Sequence, residues 1–306
     1  MQDDCQTSGT ILLVRPAAFG FHAEAAESNA FAAASDEPDA AARAVAEFDG
    51  VARALEAAGV RCLVLDDRPE PVRPDAVFPN NWVSFHGDGT MIVYPMANAA
   101  RRLERRLDVL LPLIEANKLA PGAIIDLSPL EAEGAFLEGT GSLILDRPRA
   151  RAFACRSPRT SAAGVQAFEA ATGWTVELFD AADRHGRQIY HTNVMLSLGT
   201  GFALVCAEAI ADADRARVLA ALGAEREIIA VGFNQMERFA CNALELRGAD
   251  GPVIALSATA LDSLEPGQRA ALLRFGRLVP VAIPTIERVG GGSVRCMIAE
   301  VFLPGR

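Results

Sequence analysis

Four short islands carry the residues that could do covalent chemistry. In the last, Gly290-Gly291-Gly292 precedes Cys296. Successive glycines permit positive φ and close backbone approach to a ligand, and they deliver this thiol to the start of the apolar run VRCMIAEVFLP. A thiolate is a strong nucleophile, and Arg295 with the loop amides would favour that form; a small buried hydrophobe beside a turn fits the same residues. His191 stands in Tyr-His-Thr-Asn at the mouth of another apolar run, where an imidazole can pass protons to and from a cysteine-bound intermediate or serve structure alone. Glu138 follows Phe-Leu and precedes Gly-Thr-Gly, which points its carboxylate into a confined turn. A partly buried carboxylate needs a partner, which an N–H-rich substrate or the turn's own amides would supply. Asn80 and Asn81 in FPNNW place two amides, each both donor and acceptor, in apolar surroundings, although a plain turn would look the same. His22, His86 and His185 sit in more polar or glycine-flanked stretches and are expected in surface loops.

The elements that must position these residues read as alternating strands and helices. Apolar runs TILLVRP, RCLVLDD, GTMIVYPM, GSLILDR, VMLSLGTGFALVC, EIIAVG, GPVIALS and VRCMIAEVFLP, bounded by Gly, Pro or Asp, predict strands. Between them AAARAVAEFDGVARALEAAG, RRLERRLDVLLPLIEA, SAAGVQAFEAATG and IADADRARVLAALG have helical spacing. With no Pro/Ser/Gly-rich linker to cut the alternation, an α/β chain forming one domain over residues 1–306 is expected. The segment 24–41 reads as a loose loop near a pocket mouth or on the surface.

Composition narrows the function. The 306 residues are 51% hydrophobic and 22% charged, enough to build a core. A net charge of −10 offers no basic field for nucleic acid or an anionic membrane, so a small molecule is the expected partner. Lys118 is the sole lysine and sits at a helix end rather than in a phosphate-binding loop, which disfavours pyridoxal enzymes and P-loop NTPases. The six cysteines show no metal-ligand or disulfide spacing. No metal or organic cofactor is expected. The acidic start MQDDCQTSG and the lack of an 18-residue uncharged apolar run predict a soluble, unprocessed, cytoplasmic protein.

Taken in order, FPNNWVSFH, LEGTGS, HTNVML and GGGSVRCM resemble the guanidino-group-modifying superfamily, the pentein-fold enzymes that include arginine deiminase, dimethylarginine hydrolase and the amidinotransferases. The match looks closest to citrulline-utilisation hydrolases and spans nearly the whole chain. It implies a five-bladed pseudosymmetric α/β propeller, one domain of ββαβ modules around a central polar channel. It also implies Cys296 as nucleophile, His191 as general acid and base, and Glu138 as the carboxylate that grips substrate N–H groups.

Three departures share one electrostatic direction. The family's Phe-x-x-Asp reads Phe78-Pro79-Asn80-Asn81, its His-x-Asp reads His191-Thr192-Asn193, and its Glu-Gly-Gly-Asp reads Glu138-Gly139-Thr140-Gly141. A buried guanidinium demands carboxylates, whereas a neutral ureido oxygen demands a donor that asparagine has and aspartate lacks. The resemblance with these departures predicts hydrolysis of a ureido amino acid, citrulline, to ornithine, carbon dioxide and ammonia through an S-carbamoyl cysteine. Asn80, Asn81, Asn193 and Asn242 would contact the substrate, and Arg102 and Arg288 are the expected partners of its carboxylate. A homodimer is compatible with the sequence. The competing readings are a deiminase or dimethylarginine hydrolase, less readily an amidinotransferase, and the ribosome-binding initiation factor that shares the fold.

Overall fold

The computed structural model describes residues 5–34 and 39–305. Strand β1 (Thr10–Arg15) is buried along its central four residues and runs parallel to β2 (Arg61–Asp66). Parallel neighbours need a long crossover, and here it carries the helix Ala40–Ala57. Ala44, Phe48, Val51 and Leu55 recur along that helix every three or four residues. Their stripe packs on Ile11 and Leu13 of β1 in one apolar cluster. Each large side chain buried there contributes about 1.5–3 kcal/mol.

The same unit then repeats. Strands β3 (Val83–Phe85), β4 (Thr90–Val93) and β5 (Ala123–Asp126) make a hairpin followed by a parallel strand, with the helix Leu107–Ala116 in the crossover. Strands β6 (Ile144–Asp146), β7 (Arg151–Cys155) and β8 (Thr175–Phe179) do so around Ala162–Thr172. Strands β9 (Leu196–Leu198), β10 (Phe202–Val205) and β11 (Glu227–Ala230) do so around Asp212–Gly223. Strands β12 (Leu244–Gly248), β13 (Gly251–Ser257) and β14 (Arg277–Val281) do so around Ala258–Ser263 and Pro266–Leu273. Finally β15 (Ala299–Glu300) pairs antiparallel with β1, supplying the hairpin partner that the first sheet lacks. Five three-stranded sheets of one pattern make a pseudosymmetric five-bladed α/β propeller.

The structure departs from the sequence expectations in places that matter for the site. The run 194–206 is a hairpin, β9 to β10, turned at Gly199–Gly201. Cys296 lies not at a strand start but in a single 3-10 turn, Val294–Met297, ahead of β15. The expected helix over 101–116 splits into a 3-10 turn, Ala100–Glu104, and the helix Leu107–Ala116, because Arg101 and Glu104 both turn inward and bond each other. His86 is buried, held to Ser84 at 2.9 Å and edge-on to Trp174, and His22 bonds Asp75; of the three expected surface histidines only His185 is exposed. Among the described residues, no helix is long and apolar enough to cross a membrane.

Candidate active site

A short turn precedes the first strand of each hairpin, and the site is made where these turns meet. Pro79–Asn81 leads into β3, Gly139–Ser142 into β6, Thr192–Val194 into β9, Cys241-Asn242 into β12, and Val294–Met297 into β15. Pro79–Asn81 touches both Gly139–Ser142 and Val294–Met297, and Gly139–Ser142 touches Thr192–Val194. Each blade therefore contributes a polar or thiol group: Asn81, Glu138, His191, Asn242 and Cys296, all buried.

His191 and Glu138 flank their turns and join through Nε2 and Oε2 at 2.8 Å. An ionised carboxylate can only accept, so Nε2 carries the proton and Nδ1 is left as the basic nitrogen of the neutral ring. Burial is the largest influence on both groups, with opposite outcomes. It pushes His191 down to about 4 despite the attraction of Glu138. For Glu138 burial works upward, but the Arg159 guanidinium, the His191 hydrogen bond and Arg101 outweigh it and hold the carboxyl at about 2. Glu138 Oε1 is taken by the Ala97 N–H at 3.1 Å, and Arg159 approaches Oε2 to 3.5 Å. The carboxylate thus orients the imidazole and does not border the cavity, where the sequence reading had it gripping substrate directly.

The Cys296 sulfur accepts from two side-chain amides, Asn193 Nδ2 at 3.4 Å and Asn242 Nδ2 at 3.3 Å. Arg295, expected beside the thiol, instead sends its guanidinium to the Ile298 carbonyl at 2.8 Å and Glu300 at 3.3 Å. Asn81 accepts from Arg101 Nη1 at 2.9 Å through Oδ1, and its Nδ2 is buried without a partner. Asn80 is fully buried with both amide atoms likewise unmatched.

The cavity in front of Cys296 is bounded by Asp75, Phe78, Asn81, Arg101, Arg159 and His191, among others. It holds about 20 Å³ of free space, room for little more than one water. A strap over residues 22–33 closes it. Arg159 bonds the Ala25 carbonyl at 2.7 Å and Ser28 at 2.9 Å, Asn29 reaches the Gly291 carbonyl at 3.2 Å, and the Ala33 N–H bonds the Arg288 carbonyl at 2.8 Å. Gly291, at φ +64°, is needed for that closure, since a Cβ there would stand 2.5 Å from the Ala32 nitrogen. This strap overlaps the first part of the 24–41 segment; residues 35–38 lie outside those described.

Three charged residues that sequence reasoning missed line this space: Asp75, Arg101 and Arg159, each at most 4% exposed. Conversely, Arg102 turns away to Glu131 and the Met96 carbonyl, both at 3.1 Å. Arg288 is exposed and borders a separate open basin of about 800 Å³ on the outer flank of the strap, with Phe31, Arg184 and Phe239. Asn193 and Asn242 stand behind the thiol rather than on the cavity wall. Among the described residues, no group of three or more His, Cys, Asp or Glu side chains is placed to hold a metal ion.

A family model described as N,N dimethylarginine dimethylhydrolase, eukaryotic, matches residues 15–303. No curated protein matches the chain. Among solved structures, it is similar to ArgZ, an arginine dihydrolase from the ornithine-ammonia cycle in Cyanobacteria, with a TM-score of 0.75 and 16% identity over 97% of this chain. The chain spans only 41% of that protein. Against the N-terminal domain of ArgZ bound to substrate it covers 95% of this chain and 97% of the other, again with a TM-score of 0.75 and 16% identity. A dimethylarginine dimethylaminohydrolase in adduct with S-methyl-L-thiocitrulline aligns with a TM-score of 0.67 and 17% identity, over 96% of this chain and 99% of the other. Likeness at these identities concerns the fold.

Proposed function

Because the chain belongs to the N,N dimethylarginine dimethylhydrolase family of the guanidino-group-modifying superfamily, we propose that it is a cysteine hydrolase acting on a carbon–nitrogen bond of a guanidino-bearing amino acid. The observation that carries this is the convergence of a thiol under two amide donors with a neutral, carboxylate-oriented imidazole at one buried cavity. The relatives named arginine dihydrolase and dimethylarginine dimethylaminohydrolase support the same class.

In this reading the Cys296 sulfur bonds to the guanidino carbon, its proton passing to His191. The carbon–nitrogen bond then breaks, and His191 returns the proton to the departing nitrogen. Water, losing a proton to the same imidazole, attacks the cysteine-bound carbon and releases the thiolate. Glu138 holds the ring through Nε2. Asp75, the carboxylate on the cavity wall, meets the cationic group, and the buried Arg101 and Arg159 receive the substrate carboxylate. The strap must lift before any such substrate enters.

A narrower reading, in which a ureido group is also or preferentially cleaved, is favoured by Asn81. Its buried Nδ2 lacks an acceptor, and a ureido oxygen would provide one. Citrulline then gives ornithine, carbon dioxide and ammonia.

Incubation with arginine, dimethylarginine, agmatine and citrulline, with the released amines and ammonia identified, tests both. Turnover of an arginine compound that disappears in a folded Cys296→Ala protein is the expected result. Absence of turnover with all four, or full activity in Cys296→Ala, overturns the reading.

A further inference from the structure

The two amides behind Cys296 are not equivalent, and Asn242 governs the arrangement. Its Oδ1 accepts the backbone N–H of Arg295 at 2.9 Å, a group that can only donate. Its Nδ2 donates to the backbone carbonyl of Asn193 at 3.0 Å, a group that can only accept. Two partners from two other blades therefore fix which end of the amide faces which way, and turning it over would break both bonds. The N–H that reaches Cys296 Sγ at 3.3 Å is thus obligatory. By holding the Asn193 backbone, the same amide also sets the second donor, Asn193 Nδ2, at 3.4 Å from the sulfur.

A fixed donor stabilises an anion more than a neutral thiol. We propose that Asn242 is a positioning residue that, together with Asn193, stabilises the anion formed on the Cys296 sulfur as its proton passes to His191, and that these asparagines serve the sulfur rather than the substrate. This rests on Cys296 being the nucleophile of the hydrolase reading above.

Other charged and titratable groups surround the same cavity or flank the cysteine. Tyr190 and His191 come from the loop ahead of β9, with Glu138 behind His191; Asp75, Arg101 and Arg159 come from the cavity wall, and Arg295 neighbours the cysteine in its own turn. Tyr190 is committed to the Gly291 carbonyl at 2.6 Å and Arg295 to Glu300 and Ile298. Among the described residues, the hydrogen bonds that end on Sγ come from the two amides.

The test is the pH dependence of iodoacetamide alkylation of Cys296, read by mass spectrometry of its peptide, in wild type, Asn242→Ala, Asn242→Asp and Asn242→Ser, with thermal melts as the check on folding. The alkylation midpoint should rise by about one pH unit in Asn242→Ala and Asn242→Ser, leaving about tenfold less thiolate at neutral pH. In Asn242→Asp it should rise further, because an oxygen then faces the sulfur. An unmoved midpoint in any folded variant overturns the proposal. So does failure of all three to fold, which would make Asn242 a structural strut. No substrate enters this assay: a shifted midpoint in a protein that turns over none of the four compounds would leave the thiolate proposal standing and remove the hydrolase reading.

Discussion

Gly141 and His191 are packed with no room for one more carbon between them. A Cβ on Gly141 would stand 2.8 Å from His191 Nδ1 and 2.4 Å from Asn81 Nδ2. Glycine at this position therefore allows the imidazole and the Asn81 amide to approach across one turn. Gly141→Ala should displace both, and a shift near 1 Å can cost about a hundredfold in rate. A stability loss of about 1–3 kcal/mol from overpacking should accompany it. Gly141→Asp, which restores the acid of the related motif, should be no better. Kinetics and melting of both variants check this, and wild-type kcat/KM in Gly141→Ala would contradict it.

Stability should rise with pH through an unusually low window. His191 titrates at about 4 when folded against 6.5 ordinarily, burial being the main cause, so between those values the unfolded chain binds more protons. Its contribution is complete above pH 6.5 and lost as pH falls toward 4. Glu138, held at about 2 against 4.5, adds a loss of the same sign further down. His86, pushed down to about 3 by burial, does likewise, so the informative quantity is the difference from His191→Gln. Denaturant unfolding from pH 7 to 4 should show a shallower slope in that variant. Identical slopes would mean that His191 is not depressed.

Asn81→Asp separates the two substrate readings. The substitution keeps the oxygen that accepts from Arg101 and replaces the unmatched Nδ2. Loss of that donor should lower citrulline turnover about tenfold, a cost of about 1–3 kcal/mol, while arginine turnover holds or improves. Equal loss on both compounds would indicate a general structural effect. Asn193→Asp is not an equivalent probe, because that side chain faces the sulfur.

Adjacent arginines should behave oppositely. Arg101→Lys keeps a charge among Glu104, Asp75 and Glu138 but loses the fork to Glu104, and KM should rise about tenfold or more. Arg102→Ala removes a half-exposed pair with Glu131, and Arg288→Ala an exposed side chain; both should leave KM within about twofold. Steady-state kinetics on whichever of the four compounds is turned over decide it, and a large KM effect in Arg102→Ala would reverse the assignment.

What the sequence revealed and concealed follows from how each residue is exposed. The central strands β1, β4, β7, β10 and β13 are buried on both faces and announce themselves as apolar runs, or as the alternating RAFAC of β7 that a run-based reading passes over. The outer strands β5, β8 and β14 are largely exposed or half-exposed, so their hydrophobic signal fades into loop composition. Cys296, His191 and Glu138 were legible because each abuts glycines or an apolar run. Asp75, Arg101 and Arg159 were not, because a charged residue in a polar stretch looks solvated until the fold turns it inward. Asn193 and Asn242 were noticed, but their orientation depends on partners 49 to 103 residues away.

That distance in sequence has a kinetic meaning. His191 meets Glu138 across 53 residues, Asn242 meets Cys296 across 54, and Asn193 meets Cys296 across 103. No hairpin or isolated blade contains both members of any of these pairs, so local folding cannot assemble the surroundings of Cys296 ahead of the ring. A topology so rich in remote contacts folds slowly, and during that time Cys296 is an ordinary thiol with none of its neighbours. The alkylation rate of Cys296 should therefore reach its native value together with the last cooperative step of refolding, making the chemistry of one sulfur a clock for closure of all five blades.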